Sequence, residues 1–282
     1  MKTLRVQTTR PYDIFIGSGL LDRAGELSRE VNGGSRALIV TDSNVGPLYA
    51  ARVGASLRAA DYRTEVKYVV KPTGAFFPGF TLNAMLGGVL YGTILYRKPL
   101  TFRRALWADL VVALGGGVTG DMAGFAAATF LRGIDFVQIP TSLLAQVDSS
   151  VGGKTGVDIP AGKNLIGAFW QPVRVLADLD ALDTLPPAFV ADGLGEIVKY
   201  ACIRPCPDEK TGERLFDRLE RGEALSPANR EDTVFTCIDC KRGVVERDER
   251  EAGERKLLNF GHTLGHALEK YYDYAGPTHG CA

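Results

Sequence analysis

The sequence lacks an excess of charge of either sign. Its 33 Lys and Arg face 33 Asp and Glu, so no overall field draws the chain to nucleic acid or to an anionic membrane, and small molecules are the expected partners. The N-terminal stretch MKTLRVQTTRPYDIFIGSGL lacks the apolar core of a secretory leader, which points to the cytoplasm. Cysteine is scarce: five in 282 residues do not suggest a disulfide framework in a chain of this size. Cys202, Cys206, Cys237 and Cys240 loosely imitate a zinc-ribbon spacing. However, Cys237 and Cys240 lie in EDTVFTCIDCKRGVVERDE, which reads as one amphipathic helix, so buried structural thiols are expected. Charge is missing altogether from Pro72 to Tyr96, a run long enough to raise the question of a membrane span. Pro78, Asn83 and five glycines interrupt it, and it reads instead as a buried helix or loop.

What is present is ordinary for a soluble globular protein, with 45% hydrophobic and 23% charged residues, enough to fill one large core or two modest ones. The first half alternates short apolar runs with helical patterns. Strands are expected at Arg36–Thr41, Ala108–Leu114 and Ile134–Ile139, and a helix rich in small residues at Val118–Leu131. Strand, glycine turn, helix, strand is the grammar of a parallel sheet. After Pro186-Pro187 helical periodicity takes over, at Phe189–Ala201, Lys210–Glu223, Asn229–Arg247 and Gly261–Tyr272. The expected fold is therefore a Rossmann-like α/β domain over residues 1–186, followed by a mostly helical domain over residues 187–282.

Three clusters carry the chemistry. Gly115-Gly116-Gly117-Val118-Thr119-Gly120-Asp121 follows a strand and opens a helix, where backbone N–H groups and the helix terminus suit a pyrophosphate. A ligand-free tight turn accounts for it equally. Asp42, ending an earlier strand, is placed either to accept from a ribose or to cap the following turn. In the second cluster, Asp148-Ser-Ser-Val-Gly152-Gly153-Lys154 and Gly162-Lys163-Asn164, lysines beside glycine-rich turns suit a phosphate or carboxylate. The spacing is not that of a P-loop. The third cluster gathers all three histidines of the chain, His262, His266 and His279, near its end. His262 and His266 share a helix face and suit a metal or an acid/base pair, with Glu196 in Gly193-Leu-Gly195-Glu196-Ile-Val-Lys199 as a completing carboxylate.

In order along the chain, GGGVTGDMAGFAAATFLRG, IPTSLLAQVDSSVGGKTGVD, GKNLIGAFWQP, GLGEIVKY and LLNFGHTLGHALE resemble the successive signatures of the 3-dehydroquinate synthase family. The resemblance implies a dehydroquinate synthase-like fold and a reaction. A sugar-acid phosphate, 3-deoxy-D-arabino-heptulosonate 7-phosphate, is converted to 3-dehydroquinate and phosphate on the shikimate route, with NAD recycled and a divalent metal, Zn²⁺ or Co²⁺, as Lewis acid. It implies metal ligation by Glu196, His262 and His279, and an acid/base-associated role for His266. Substrate-pocket roles fall on Asp148, Lys154, Asn164, Lys199, Lys241, Glu251, Arg255 and Asn259, with Arg132 reaching across a homodimer interface. Contacts to NAD fall on Asp42, Asn44, Gly116, Gly117, Val118, Thr119, Gly120, Asp121, Thr141, Ser142, Lys154, Lys163 and Thr184. The chain departs from the family pattern at Thr73–Pro78 and at Ala188-Phe189. It also stops at Thr278-His-Gly-Cys-Ala282, which suggests a shortened C-terminus. A metal-dependent polyol dehydrogenase of the glycerol-dehydrogenase type and an inactive remnant are the alternatives.

Overall fold

The computed structural model describes residues 1–69, 108–159, 162–203, 214–272 and 276–282, and the side chains of all of these except 69, 158, 159 and 162–164. The charge-free run Pro72–Tyr96 and Cys206 lie outside the described residues. In chain order the elements are β1 (Lys2–Val6), β2 (Tyr12–Gly17), α1 (Ala24–Arg29), β3 (Arg36–Asp42), α2 (Gly46–Ala59), β4 (Arg63–Val69), β5 (Leu110–Gly115) and α3 (Gly117–Thr129). They continue with β6 (Asp135–Pro140), β7 (Lys154–Ile159), β8 (Gly162–Phe169), β9 (Arg174–Asp178), α4 (Pro187–Ile203), α5 (Leu215–Glu220), α6 (Arg230–Arg247) and α7 (His262–Tyr271). Among the described residues no helix is long and apolar enough to cross a membrane.

The chain forms two compact units interleaved along the sequence. The first comprises Met1–Leu20, Ile139–Gly152 and Arg174–Ala282, and the second Leu21–Gln138 and Gly153–Val173. Residue 186, where the sequence changes texture, lies inside the first unit. The reason is a long-range pairing that local patterns do not reveal: β9 runs parallel to β2, with Ile14 opposite Val175 and Ile16 opposite Ala177.

In the second unit β3 pairs in parallel with both β4 and β5. Every residue of β5, LVVALG, is buried, as expected of a parallel strand covered on both faces. The small-residue helix α3 packs by virtue of its glycines. A Cβ on Gly120 would lie 2.2 Å from Gln138 Nε2, and one on Gly124 would lie 2.4 Å from Thr155 Cγ2. The helix ends at Thr129, not at Leu131, because Leu131 and Arg132 turn left-handed at φ 49° and 69°. The glycine-rich turns expected around Lys154 and Lys163 are instead strands. β7 and β8 form an antiparallel hairpin with Lys154 opposite Phe169 and Val157 opposite Ile166. Its Val, Thr, Ile and Phe content prevails over the glycines.

The first unit holds the antiparallel pair β1–β2 and the helices expected at Phe189–Ala201, Asn229–Arg247 and Gly261–Tyr272, found as α4, α6 and α7. Of the expected Lys210–Glu223 helix, residues 214–223 are described, and only Leu215–Glu220, α5, is helical, the chain turning left-handed at Gly222 with φ 69°. Ile14, Ile16, Val175, Ile197, Tyr200, Val234, Cys237 and Ile238 share its core. Cys237 and Cys240 are buried as expected, but Cys202 is exposed, since it lies two residues past the fully buried Tyr200 and on another face of α4.

Candidate active site

Helix α4 places Glu196, Lys199 and Tyr200 on one face, at spacings of three and four residues, and all three are buried. Buried charges must be paired, and these are. Glu196 forms an ion pair with Lys199 and turns Oε1 toward two imidazoles, His279 Nε2 at 3.3 Å and His262 Nε2 at 3.7 Å. The helix carrying His262 starts after a left-handed Gly261 at φ 82°, where the chain reverses. His262 Nδ1 lies 3.2 Å from the Phe260 carbonyl oxygen, which leaves Nε2 for Glu196. His266 stands one turn further on, its ring centroid 5.3 Å from that of His262 and 5.5 Å from that of His279.

His279 arrives from the tail. The Gly280 N–H donates to Asp192 Oδ1 at 2.6 Å, and the Gly280 backbone presses onto α4 so closely that a Cβ on Gly195 would lie 2.3 Å from the Gly280 oxygen. The glycine of Gly-Glu is thus what lets a histidine reach the neighbouring glutamate. Burial would raise the Glu196 carboxyl, but the bond from His279 and the attraction of Lys199 outweigh burial and the repulsion of Asp148 and hold it low. His279 is raised in turn, chiefly by its bond to Glu196. One carboxylate and imidazoles whose nitrogens lie within 4.8 Å of one another form an N/O donor set of the kind that binds Zn²⁺ or Co²⁺. The residues fit the implied metal.

Beside this cluster, Asp148 sits in a short π-helical turn, Ala145–Ser149, and gathers three donors. Lys199 Nζ lies 3.2 Å from Oδ1, Lys241 Nζ lies 3.1 Å from Oδ2, and the Tyr200 hydroxyl donates to Oδ1. Lys241 also donates to the Asp148 carbonyl at 2.8 Å. Burial alone would raise this carboxyl; the ammonium groups of Lys241 and Lys199 and the tyrosine bond hold it well below the usual carboxylate range. Burial lowers Lys241. Arg255, expected in a substrate pocket, is 1% exposed and gives Nη2 to the Gly152 carbonyl at 2.9 Å, bracing the turn that follows Asp148. Glu251 takes a left-handed backbone at φ 60° and accepts from Asn259 Nδ2 at 3.2 Å.

In the second unit, Asp42 Oδ1 accepts from the N–H groups of Asn44 and Val45 at 2.8 and 3.0 Å, and Oδ2 accepts from Thr119 Oγ1 at 3.5 Å. The capping role weighed for Asp42 is therefore present, and it ties the end of β3 to the glycine turn. Gly116 precedes α3 in extended backbone with no side-chain cap. Gly117, Val118, Thr119, Gly120 and Asp121 form the first turns of that helix, with Thr119 and Gly120 buried and Val118 exposed. Lys154 opens β7 and is exposed, and Lys163 and Asn164 lie on β8. In the first unit, Thr141 is buried, Ser142 Oγ accepts from the Ala145 N–H at 3.3 Å, and Thr184 donates to the Ala181 carbonyl at 3.3 Å. Arg132 is exposed in the left-handed turn after α3.

The 3-dehydroquinate synthase N-terminal family profile matches residues 96–192, and the C-terminal profile matches residues 193–282. A 3-dehydroquinate synthase of Clostridium botulinum is 46% identical over 274 residues, 96% of this chain and 73% of that relative. The chain belongs to the 3-dehydroquinate synthase family. Among solved structures, 2-deoxy-scyllo-inosose synthase complexed with carbaglucose-6-phosphate, NAD⁺ and Co²⁺ superposes with a TM-score of 0.80 at 26% identity, covering 99% of this chain and 73% of that one. The 2-epi-5-epi-valiolone synthase of Streptomyces hygroscopicus, with NAD⁺ and Zn²⁺ bound, gives 0.72 at 25% identity, covering 99% and 72%. The fold expected from the sequence, a Rossmann-like parallel-sheet part followed by a mostly helical part, is that of the 3-dehydroquinate synthase family and its sugar-phosphate cyclase neighbours. Neither alternative, polyol dehydrogenase or inactive remnant, is favoured by these likenesses.

Of the residues the 3-dehydroquinate synthase resemblance singled out, the structure brings together Glu196, His262, His266 and His279, and beside them Asp148, Lys199 and Lys241. Tyr200 was missed. Its signal was its place four residues after Glu196 and next to Lys199, on the same helix face. Gly195 was read only as part of a motif. Its contact with Gly280 predicts that Gly195→Ala displaces His279 and lowers Zn²⁺ affinity at least about tenfold, as loss of ligand support does. Competition with a chromophoric chelator measures this.

Proposed function

We infer that this chain catalyses the NAD- and metal-dependent conversion of 3-deoxy-D-arabino-heptulosonate 7-phosphate to 3-dehydroquinate and phosphate, a phosphorus–oxygen lyase reaction of aromatic amino acid biosynthesis. The observation that carries the site assignment is the meeting of Glu196, His262 and His279 from three separate elements. We assign the divalent metal to these three residues. When bound, the cofactors supply Lewis acidity at a substrate hydroxyl and a hydride acceptor that later returns the hydride.

The remaining work falls to the protein. Lys199 and Lys241, held on Asp148, are proposed to offer their remaining ammonium N–H groups to a substrate bearing a phosphate and a carboxylate. His266, exposed beside His262 and His279, is proposed to exchange a proton with substrate or solvent. Substrate contacts are also proposed, from the family resemblance, for Glu251, Asn259, Arg255, Lys154 and Asn164. Contacts to NAD are proposed, residue by residue from the family resemblance, for the glycine turn, Asp42, Asn44, Thr141, Ser142, Lys154, Lys163 and Thr184. On this reading nucleotide binding is proposed to reside in residues 1–186 and metal binding, with most of the substrate contacts, in residues 187–282. Arg132 on its exposed turn is proposed to serve a partner copy in a homodimer, and the enzyme is proposed to be cytoplasmic.

The test is phosphate release from the heptulosonate phosphate with NAD⁺ and Zn²⁺ or Co²⁺. Release is expected without net NADH, is abolished by a chelator, and returns with added metal. Net NADH from a simple polyol, with no phosphate from the sugar acid, would overturn the reading.

A further inference from the structure

Helix α7 carries a third chemically distinct group on its histidine face. His262, His266 and Glu269 follow at intervals of four and three residues, which stacks them along one side of the helix. The opposite side is bare: Leu264, Leu268 and Tyr271 are 75%, 43% and 80% exposed. Glu269, by contrast, is only 5% exposed. A carboxylate is almost never buried this far unless it is paired. Its Oε1 lies 3.5 Å from Nδ1 of His279, while the other nitrogen of the same ring, Nε2, faces Glu196 Oε1 at 3.3 Å. His279 is thus held at both ends of its imidazole by buried carboxylates on two different helices. Around it Gly276, Pro277, Thr278 and Cys281 are exposed, while the Gly280 N–H ties the backbone to Asp192.

We propose that Glu269 is a positioning residue of the metal centre, accepting the Nδ1–H of His279 so that Nε2 is the nitrogen presented toward Glu196 and a bound ion. This rests on the assignment of the metal to Glu196, His262 and His279. Histidine ligands generally donate their second nitrogen to such a partner, which fixes the tautomer and ring direction and strengthens the donor nitrogen. His262 has a backbone carbonyl in that place, the Phe260 oxygen at 3.2 Å from Nδ1; Glu269 is the counterpart for His279. The more exposed of the two ligand rings, 31% against 19% for His262, thus has a buried carboxylate on α7 as its second partner.

The experiment compares wild type, Glu269→Gln and Glu269→Leu by Zn²⁺ competition titration and by ¹⁵N-edited spectra of the Zn²⁺-loaded proteins. With three histidines in the chain, the imidazole signals can be assigned by single substitutions. Glu269→Leu is expected to weaken Zn²⁺ binding about 10- to 100-fold and to lose the exchange-protected Nδ1–H signal of His279. Glu269→Gln keeps an acceptor oxygen and should retain the signal, with affinity within a few-fold of wild type. Unchanged affinity and an unchanged His279 signal in Glu269→Leu would overturn the proposal while leaving the metal assignment standing. Equal losses in Glu269→Gln and Glu269→Leu would also overturn it, since packing and not the accepted proton would then be at stake. If wild type bound no Zn²⁺, the metal assignment itself would fall, and this inference with it.

Discussion

Glu196→Gln is expected to abolish both metal retention and phosphate release while leaving the chain folded. The amide preserves the volume of a residue that is 4% exposed but removes the anion toward which Lys199, His262 and His279 all turn. Lys199 keeps Asp148 as a partner at 3.2 Å, so no ammonium is stranded and the fold survives. An ion held by neutral imidazoles alone loses its charge compensation. Lewis-acid assistance accounts for several kcal/mol in such reactions, so turnover should fall on the order of 10³-fold. Metal analysis after gel filtration, alongside a phosphate-release assay, checks it. Activity and metal content within a few-fold of wild type would refute the central assignment.

Asp148→Asn should do its damage to stability first. Asp148 is the shared counter-ion of Lys199 and Lys241, and its carbonyl also receives Lys241. Removing one partner of a buried pair typically costs about 3–5 kcal/mol, because the remaining charge is left uncompensated. A fifth of the Asp148 side chain reaches solvent, which places the expectation at the lower end, about 3 kcal/mol. The same substitution should alter the response to acid. The folded carboxyl sits well below its ordinary value, so its stabilising contribution is complete above the unfolded value of about 3.9. It drains away as the pH falls below that value toward the folded one. Wild type should therefore lose more stability than Asp148→Asn between about pH 5 and pH 2. Urea midpoints across that range decide it, and parallel acid profiles for the two proteins would count against the network.

Much of this was readable from residues alone, for physical reasons that can be named. The strand–glycine–helix run at Leu110–Thr129 was legible because buried parallel strands are continuously apolar and close helix packing demands small residues. The helices α4, α6 and α7 declared themselves by period. Three histidines confined to the tail, with one carboxylate in Gly195-Glu196, were enough to nominate a metal site. What escaped detection depends on partners distant in sequence. The pairing of β2 with β9 joins segments some 160 residues apart, and no local pattern encodes it. Lys154 and Lys163 were read as turn residues because glycines flank them, yet the cross-strand contacts of β7 and β8 decide their conformation. The family resemblance singled out Asp148, but its part as the counter-ion of two lysines could not be read, because its neighbours come from α4 and α6.

The tail has a consequence for the lifetime of the protein. His279 reaches Glu196 only while Gly280 rests against Gly195, so an ion shared by α4, α7 and the tail would clasp three pieces of chain together. Without the ion the segment around His279 would open to proteases more often, because a ligand that binds only the folded arrangement protects it in proportion to its concentration. Zinc starvation would thus thin out the population of molecules through turnover, and not merely silence those that remain.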